Sequence, residues 1–337
     1  MQQYYYQQLT KPQKSVYDAL LAAVSAFAPS VRVLHLSPEE MRDVYCLLRL
    51  DHPEIFYLKD YSLRFYPGAD YAELHPVYLL DKGKLREQQQ ALSARCARLL
   101  RPVKSADEAE KLVFIHRFIT GSVRYDKLKK EYSHEIVGPL VLGVSVCEGI
   151  AKTVKYLCTE LGIECIVVLC DNDPENGVRY RHTWNLIRTG GQWLHYDMTF
   201  DLSLGSDGCE RFDYFGLGDR QIFRDHRLPI YPVPSAPEHD RFHYRQKGLS
   251  FTKAEDADKR IRQALRKRQT DFVFHWRGGA MTRAVTAELL TLAQNAAQER
   301  GKCVEAALNV PQAVLALHFS DGAAEPELVE QDTSEIE

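Results

Sequence analysis

Apolar residues recur at helical spacing in several stretches, most behind a recognisable start. Thr10-Lys-Pro-Gln13 has the form of a capping box, and Val16, Leu20, Val24 and Phe27 then share one face. Ser37-Pro-Glu-Glu40 repeats the device with proline at the first helical position, ahead of a helix running towards Leu50. Leu85 to Leu100 predicts a helix with Ala91, Leu92, Cys96 and Leu99 inward, ended at Arg101-Pro102. Ser105 and Glu108 stand at capping-box spacing before Leu112, Ile115, His116 and Ile119. Ser145 and Glu148 do so again before Ile150, Val154, Leu157 and Leu161, with Gly162 as the stop.

Shorter runs predict strands. Phe56 to Leu58, Leu63 to Tyr66 and Val77 to Leu80 are extended candidates, and Glu164 to Cys170 is a buried one. A turn-rich loop, 171–177, follows. Arg181 to Arg188 and Gln192 to Met198 flank Gly190-Gly191, the signal of a two-residue hairpin. That register pairs Trp184 with Asp197 and His182 with Thr199. It puts His182, Trp184, His195 and Asp197 on one face, with His182 and Asp197 about 7–8 Å apart diagonally. Asp271 to Trp276, Ala280 to Arg300 and Ala313 to Phe319 predict a β-α-β unit. Four prolines in Pro229 to Pro237 predict an extended linker before it, which would make that unit separable. The expected organisation is an α+β chain: an N-terminal α+β region (1–100), a central core (101–235), a small α/β domain (236–320) and an acidic, disordered tail (321–337). No internal repeat is visible.

Composition narrows the function classes. The 337 residues are 45% hydrophobic, enough for a sizeable core, and carry a net charge of −3 without a single-sign field. Nucleic acid is therefore not an expected partner, and the basic stretch Lys259 to Arg268 is expected to be a solvated helix face. The N-terminus has no secretory pattern, and the apolar run Ala19 to Ala28 is too short to span a bilayer. The expectation is a cytoplasmic protein without membrane partners, unless an export signal has been removed. The eight cysteines are scattered, without zinc-site spacing. They fit core thiols in a reducing compartment, with no metal and no cofactor.

The chemistry concentrates between Val144 and Asp201. A thiol, an imidazole and a carboxylate are the parts of an acyl-transfer site, and Cys147, His182 and Asp197 supply them. With Ser145 as N-cap, Cys147 falls in the first helical turn, where free N–H groups and the positive end of the dipole favour a thiolate and can bind an oxyanion. The plainer reading of Cys147 is a small core thiol. His195 shares the expected face and rivals His182 as base. Trp184 and Glu148 are the candidates for substrate contact, although Trp184 also suits packing that shields the His–Asp pair. Asp201 reads as a loop acid or cap. His116 and His134 read as structural or exposed, because nothing local orients them.

Gly143-Val-Ser-Val-Cys147-Glu-Gly-Ile-Ala151, His182-Thr-Trp-Asn185 and Tyr196-Asp197-Met-Thr199, in this order, resemble the transglutaminase-like superfamily. The resemblance covers about residues 105–230. Val123-Arg-Tyr125 and the segment Phe212 to His226 look like flanks of bacterial members. It implies a papain-like α+β core, with a Cys-bearing helix packed on an antiparallel sheet. It also implies Cys147 as nucleophile, His182 as general base and acid, and Asp197 as orienter; it does not fix the substrate, and the expected partner is a protein or peptide, attacked through a thioester. A cysteine peptidase on the same scaffold and an inactive binding module remain the alternatives. The bulky aromatic that precedes the Cys helix in some cross-linking members has no obvious equivalent in Pro139 to Val146. No side-chain oxyanion donor and no calcium-site cluster is evident.

Overall fold

The structure is a computed structural model that describes residues 3–172, 181–205, 209–237, 241–322 and 328–331. The chain divides into two compact units. The first comprises Met1–Val168 and Thr183–Gly191, the second Leu169–His182 and Gln192–Glu337. The mixed helix and sheet content is that of an α+β protein.

In the first unit both N-terminal capping boxes form. Thr10 caps α1 (Lys11–Ala26) and Ser37 caps α2 (Pro38–Asp51), each with the reciprocal Gln13 or Glu40 bond. α1 buries Val16, Tyr17, Leu20 and Val24, and α2 buries Met41, Val44 and Leu48. The two helices pack on each other, and α1 packs on β1 (Val31–Leu34), a strand too short to show a sequence period. The three expected strand fragments are two long ones, β2 (Leu58–Phe65) and β3 (Tyr71–Tyr78), in an antiparallel sheet of order β1-β3-β2. The Tyr66–Asp70 turn that joins them contains Gly68, at φ 77°. α3 (Lys82–Leu100) follows as expected. The start of α4 (Glu108–Ser122) is corrected: Asp107, not Ser105, is the N-cap and accepts the Glu110 N–H at 2.8 Å.

β4 (Arg124–Tyr125) pairs in parallel with β5 (Val144–Ser145), and α5 (Cys147–Glu160) begins two residues later. β6 (Cys165–Cys170) is buried along its whole length, as expected. It neighbours β7 (His182–Thr189), which Asn185 fastens to α5 through a 2.9 Å bond from Nδ2 to the Ala151 carbonyl. Gly190 and Gly191 make the two-residue turn, with φ of 53° and 81°, the paired positive values of a type I′ hairpin.

In the second unit β8 (Gln192–Tyr196) pairs antiparallel with β9 (Phe215–Leu217), and α6 (Met198–Leu204) lies between them in sequence. The strand expected to reach Met198 stops at Tyr196, because Asp197 leaves the ladder to cap α6. α7 (Asp219–Ile222) and α8 (His243–Gln246) are short. The expected β-α-β unit is larger than its pattern. β10 (Ser250–Phe251), α9 (Ala254–Arg266), β11 (Asp271–Trp276), α10 (Arg283–Gln298), β12 (Lys302–Asn309), β13 (Val314–Asp321) and β14 (Leu328–Glu330) build a five-stranded sheet of order β10-β11-β13-β12-β14. β11 and β13 run antiparallel, and β12 separates α10 from β13 in sequence. Phe274, Leu289, Ala293, Ala297, Leu315 and Leu317 form its core.

The proline stretch is tied down: Ile230 N–H donates to the Leu169 carbonyl at 2.9 Å and Ala236 N–H to Asp219 Oδ2 at 3.0 Å. Asn309 Nδ2 reaches Asp213 Oδ2 at 3.0 Å and Gln312 Nε2 reaches Asp225 Oδ2 at 3.2 Å, so the C-terminal sheet belongs to one unit with residues 192–237. Within the tail, β14 pairs in parallel with β12, where disorder was expected; 323–327 and 332–337 lie outside the described residues, as does most of the 171–177 loop. Among the described residues no helix is long and apolar enough to cross a membrane.

Candidate active site

Cys147 is the first residue of α5, partly exposed. The N-cap differs from the expected one. It is Val146, and Ser145 instead donates its hydroxyl to the Ser133 carbonyl at 2.8 Å. Glu148 therefore makes no capping box. The α5 start is held from the outside, by the loop 126–135. Val146 N–H donates to Ser133 O at 3.1 Å, Asp126 N–H to Ser145 O at 2.8 Å, and the Ser133 hydroxyl to Asp126 Oδ2. The loop approaches so closely that a Cβ on Gly149 would lie 2.2 Å from Ser133 O. Glycine at this position is thus a steric requirement.

Glu148 faces a group of charges within the same unit. Lys152 Nζ lies 2.7 Å from Glu148 Oε1 and 3.0 Å from Glu135 Oε1, and Arg49 bridges the same two carboxylates, with Nη2 3.2 Å from Glu148. Burial alone would raise the Glu148 pKa, but Lys152 and Arg49 outweigh it and hold the carboxyl well below its ordinary range. Glu148 Oε2 also accepts from His134 Nδ1 at 3.0 Å, which raises the His134 pKa against its partial burial. The expectation that nothing orients His134 is corrected: Glu148 does, although the two are 14 residues apart. His116 is fully buried in α4.

In the second unit His182 and Asp197 meet. His182 Nε2 lies 2.6 Å from Asp197 Oδ2, both side chains buried. The carboxylate is saturated. Oδ1 accepts the Thr199 and Phe200 N–H groups at 2.9 and 3.1 Å, as an N-cap does, and Oδ2 also accepts His226 Nε2 at 2.8 Å. Complete burial works to raise the Asp197 pKa, but the two imidazoles prevail and depress it. His226 is in turn held through Nδ1 by Asp225, at 2.8 Å. Burial disfavours its charge, yet Asp197 and Asp225 raise its pKa overall. Phe200 packs on both imidazoles, with centroids 4.7 and 4.6 Å away. His182, Asp197 and His226 are, among the described residues, a trio able by donor type to hold a metal ion; direct hydrogen bonds join them here.

The other candidates take structural places. His195 is fully buried against Asp219, at 2.9 Å, and burial lowers its pKa. Trp184 is 1% exposed in β7. Asp201 is buried within α6, not in a loop; its Oδ1 accepts the Tyr214 N–H at 3.0 Å, and burial with Asp213 nearby raises its pKa. His226 carried no periodic signal, lying in a short aromatic and charged segment. The one hint was an Asp-His pair within a stretch resembling the flank of bacterial family members.

Residues 97–198 match the family model described as Transglutaminase-like superfamily, a span that contains Cys147, His182 and Asp197. Over that span, less than a third of the chain, the sequence is similar to this superfamily. A solved structure described as a TGase is similar to it at 12% identity and a TM-score of 0.32, over 67% of this chain and 66% of its own. Another, described as a proposed cysteine protease from Cytophaga hutchinsonii, is similar at 13% identity and a TM-score of 0.28, over 42% of this chain and 61% of its own. The chain thus spans less than two thirds of the length of either. No curated protein matches it.

Proposed function

We propose that this transglutaminase-like protein is a thiol-dependent enzyme that cleaves or transfers a carboxamide or peptide acyl group. Cys147 is the nucleophile, His182 the proton carrier and Asp197 its orienter. The observation that carries the reading is the His182–Asp197 bond at 2.6 Å, made inside a span that matches the family together with Cys147. Because His182 gives Nε2 to Asp197, Nδ1 is the nitrogen that exchanges a proton with the thiol. The thiolate attacks the acyl carbon, forming the C–S bond and an oxyanion. The His182 imidazolium protonates the amine nitrogen, the C–N bond breaks, and a thioester remains. His182 then takes a proton from water or an incoming amine, which displaces the sulfur. N–H groups of the first turn of α5 can receive the oxyanion.

The test is labelling by an electrophilic amide probe, with site mapping. The expected adduct is on Cys147, and it is lost in Cys147→Ala and strongly slowed in His182→Ala. Burial pushes Cys96 up to about 12 and Cys209 to about 11, and buried Cys158 well above its ordinary value. Those thiols should therefore label late. Equal labelling of Cys147 and Cys158 in the folded protein would reject an activated nucleophile and favour the inactive binding module.

A further inference from the structure

The loop that braces α5 brings a second imidazole to the thiol end of that helix. We infer that His134, clamped by Glu148, is an electrostatic partner of Cys147 that stabilises negative charge on its sulfur and on the oxyanion formed there. The inference rests on Cys147 being the nucleophile and supplies the side-chain stabiliser that the sequence motifs leave unassigned.

Three observations carry it. First, the placement is built. The Ser133 carbonyl accepts from Val146 N–H at 3.1 Å and Ser145 Oγ at 2.8 Å, and Lys152 Nζ reaches the His134 carbonyl at 3.2 Å. Residues 133 and 134 are therefore fixed beside the first turn of α5, at an approach that only glycine at position 149 permits. Second, the orientation is set. Glu148 is adjacent to Cys147 in sequence and takes His134 Nδ1, so the imidazole has Nε2 as its other donor, while its side chain keeps 38% exposure. Third, the charges balance in one sense. Arg49, Lys152 and protonated His134 are three cations against two carboxylates, Glu135 and Glu148, which leaves one positive charge. Neutral His134 leaves none. Arg49 and Lys152 are each spent on the carboxylates, so the surplus charge is that of His134.

The groups that act on His134 are Glu148, Lys152 and Cys147 of α5, with Arg49 of α2 and Glu135 behind them; Glu148 and Cys147 favour its protonation, and Lys152 opposes it. An imidazolium donates from Nε2, whereas the neutral ring with Nδ1–H given to Glu148 cannot. Stabilisation of the thiolate by His134 is thus present at lower pH and is lost as pH rises through its raised pKa. It costs no rearrangement at the moment of reaction, which is the condition for effective electrostatic help.

The experiment measures second-order rates of Cys147 alkylation in the full chain, by neutral iodoacetamide and anionic iodoacetate, across pH. A cation at the sulfur raises the iodoacetate rate relative to iodoacetamide, and a purely structural residue does not. His134→Ala and His134→Gln should each lower that ratio about three- to tenfold near neutral pH, the scale of one partly screened charge. His134→Arg should restore it. The wild-type excess should fade towards alkaline pH. A ratio and pH profile unchanged in both His134→Gln and His134→Ala, with folding confirmed by circular dichroism, would overturn the inference. Loss of the proposed function is read separately: if amide-probe labelling survives Cys147→Ala, that reading fails whatever the alkylation ratio shows.

Discussion

Gly149→Ala adds one methyl group at the tightest point of the braced helix start. Glycine in a helix costs about 1 kcal/mol relative to alanine, so on propensity alone the substitution stabilises. Packing decides otherwise. The new Cβ would lie 2.2 Å from Ser133 O, 2.4 Å from Ser145 Oγ and 3.1 Å from Ser133 C, where about 3.5 Å is needed. Backbone must therefore move by roughly 1 Å. Overpacking of this kind costs about 1–3 kcal/mol. The movement also strains both hydrogen bonds accepted by Ser133 O, at about 0.5–1.5 kcal/mol each. Less the propensity gain, the net loss is about 1–5 kcal/mol, centred near 3. For a unit of this size about 2–4 °C per kcal/mol applies, so the first melting transition should fall by roughly 6–12 °C. Gly121→Ala in α4 is the control, because nothing lies within 4 Å of its added Cβ; it should be neutral or slightly stabilising. Differential scanning calorimetry reads both. A Gly149→Ala protein that melts at or above wild type would refute the close approach, and with it the placement of His134.

The remaining predictions concern buried charge. His226 has a raised pKa, so its stabilisation is complete below the unfolded value of about 6.5 and is lost as pH rises through the folded value; the urea-midpoint gap between wild type and His226→Gln should shrink above neutral pH, and a gap that widens would contradict the Asp197 and Asp225 contacts. Lys152→Met leaves Glu135 and Glu148 with Arg49 as their shared cation, and should destabilise by about 3 kcal/mol in urea titration, the low end for a broken buried pair; an unchanged midpoint would show that the pair is not buried in solution.

Much of this architecture lies in local pattern, and that part was legible. Thr10 and Ser37 cap their helices as their spacing predicts, since a capping box is complete within four residues. Gly190 and Gly191 turn as a glycine pair must. His182 and Asp197 meet as the hairpin spacing suggested, although by a different last step: Asp197 reaches Oδ2 towards the imidazole while its Oδ1 caps α6, which no alternation of faces reveals. The Ser145-Glu148 spacing misled for the same reason. The Ser133 carbonyl competes for the Ser145 hydroxyl, and Lys152 and Arg49 for Glu148, and all but Lys152 are distant in sequence. His134 and His226 owe their placement to carboxylates on other elements, so composition and periodicity were silent about both. The C-terminal sheet was underestimated because β12 carries a mixed burial pattern and β10 and β14 have only two and three residues.

The two units are interleaved along the chain, and synthesis runs in one direction. The first unit is complete once Gly191 has emerged, because its last piece is 183–191. The second needs 169–182 and then everything from 192 onwards. At about 5–20 residues per second, the ribosome delivers the thiol-bearing unit roughly 7–28 s before the C-terminal strands that complete the unit holding His182 and Asp197. During that interval the nascent chain carries Cys147 without a finished partner unit. A chain stalled or truncated anywhere between Gly191 and β13 should consequently present the helix of Cys147 while the unit of His182 and Asp197 is unfinished, so that the order of residues along the chain itself defers the proposed chemistry until the second unit is made.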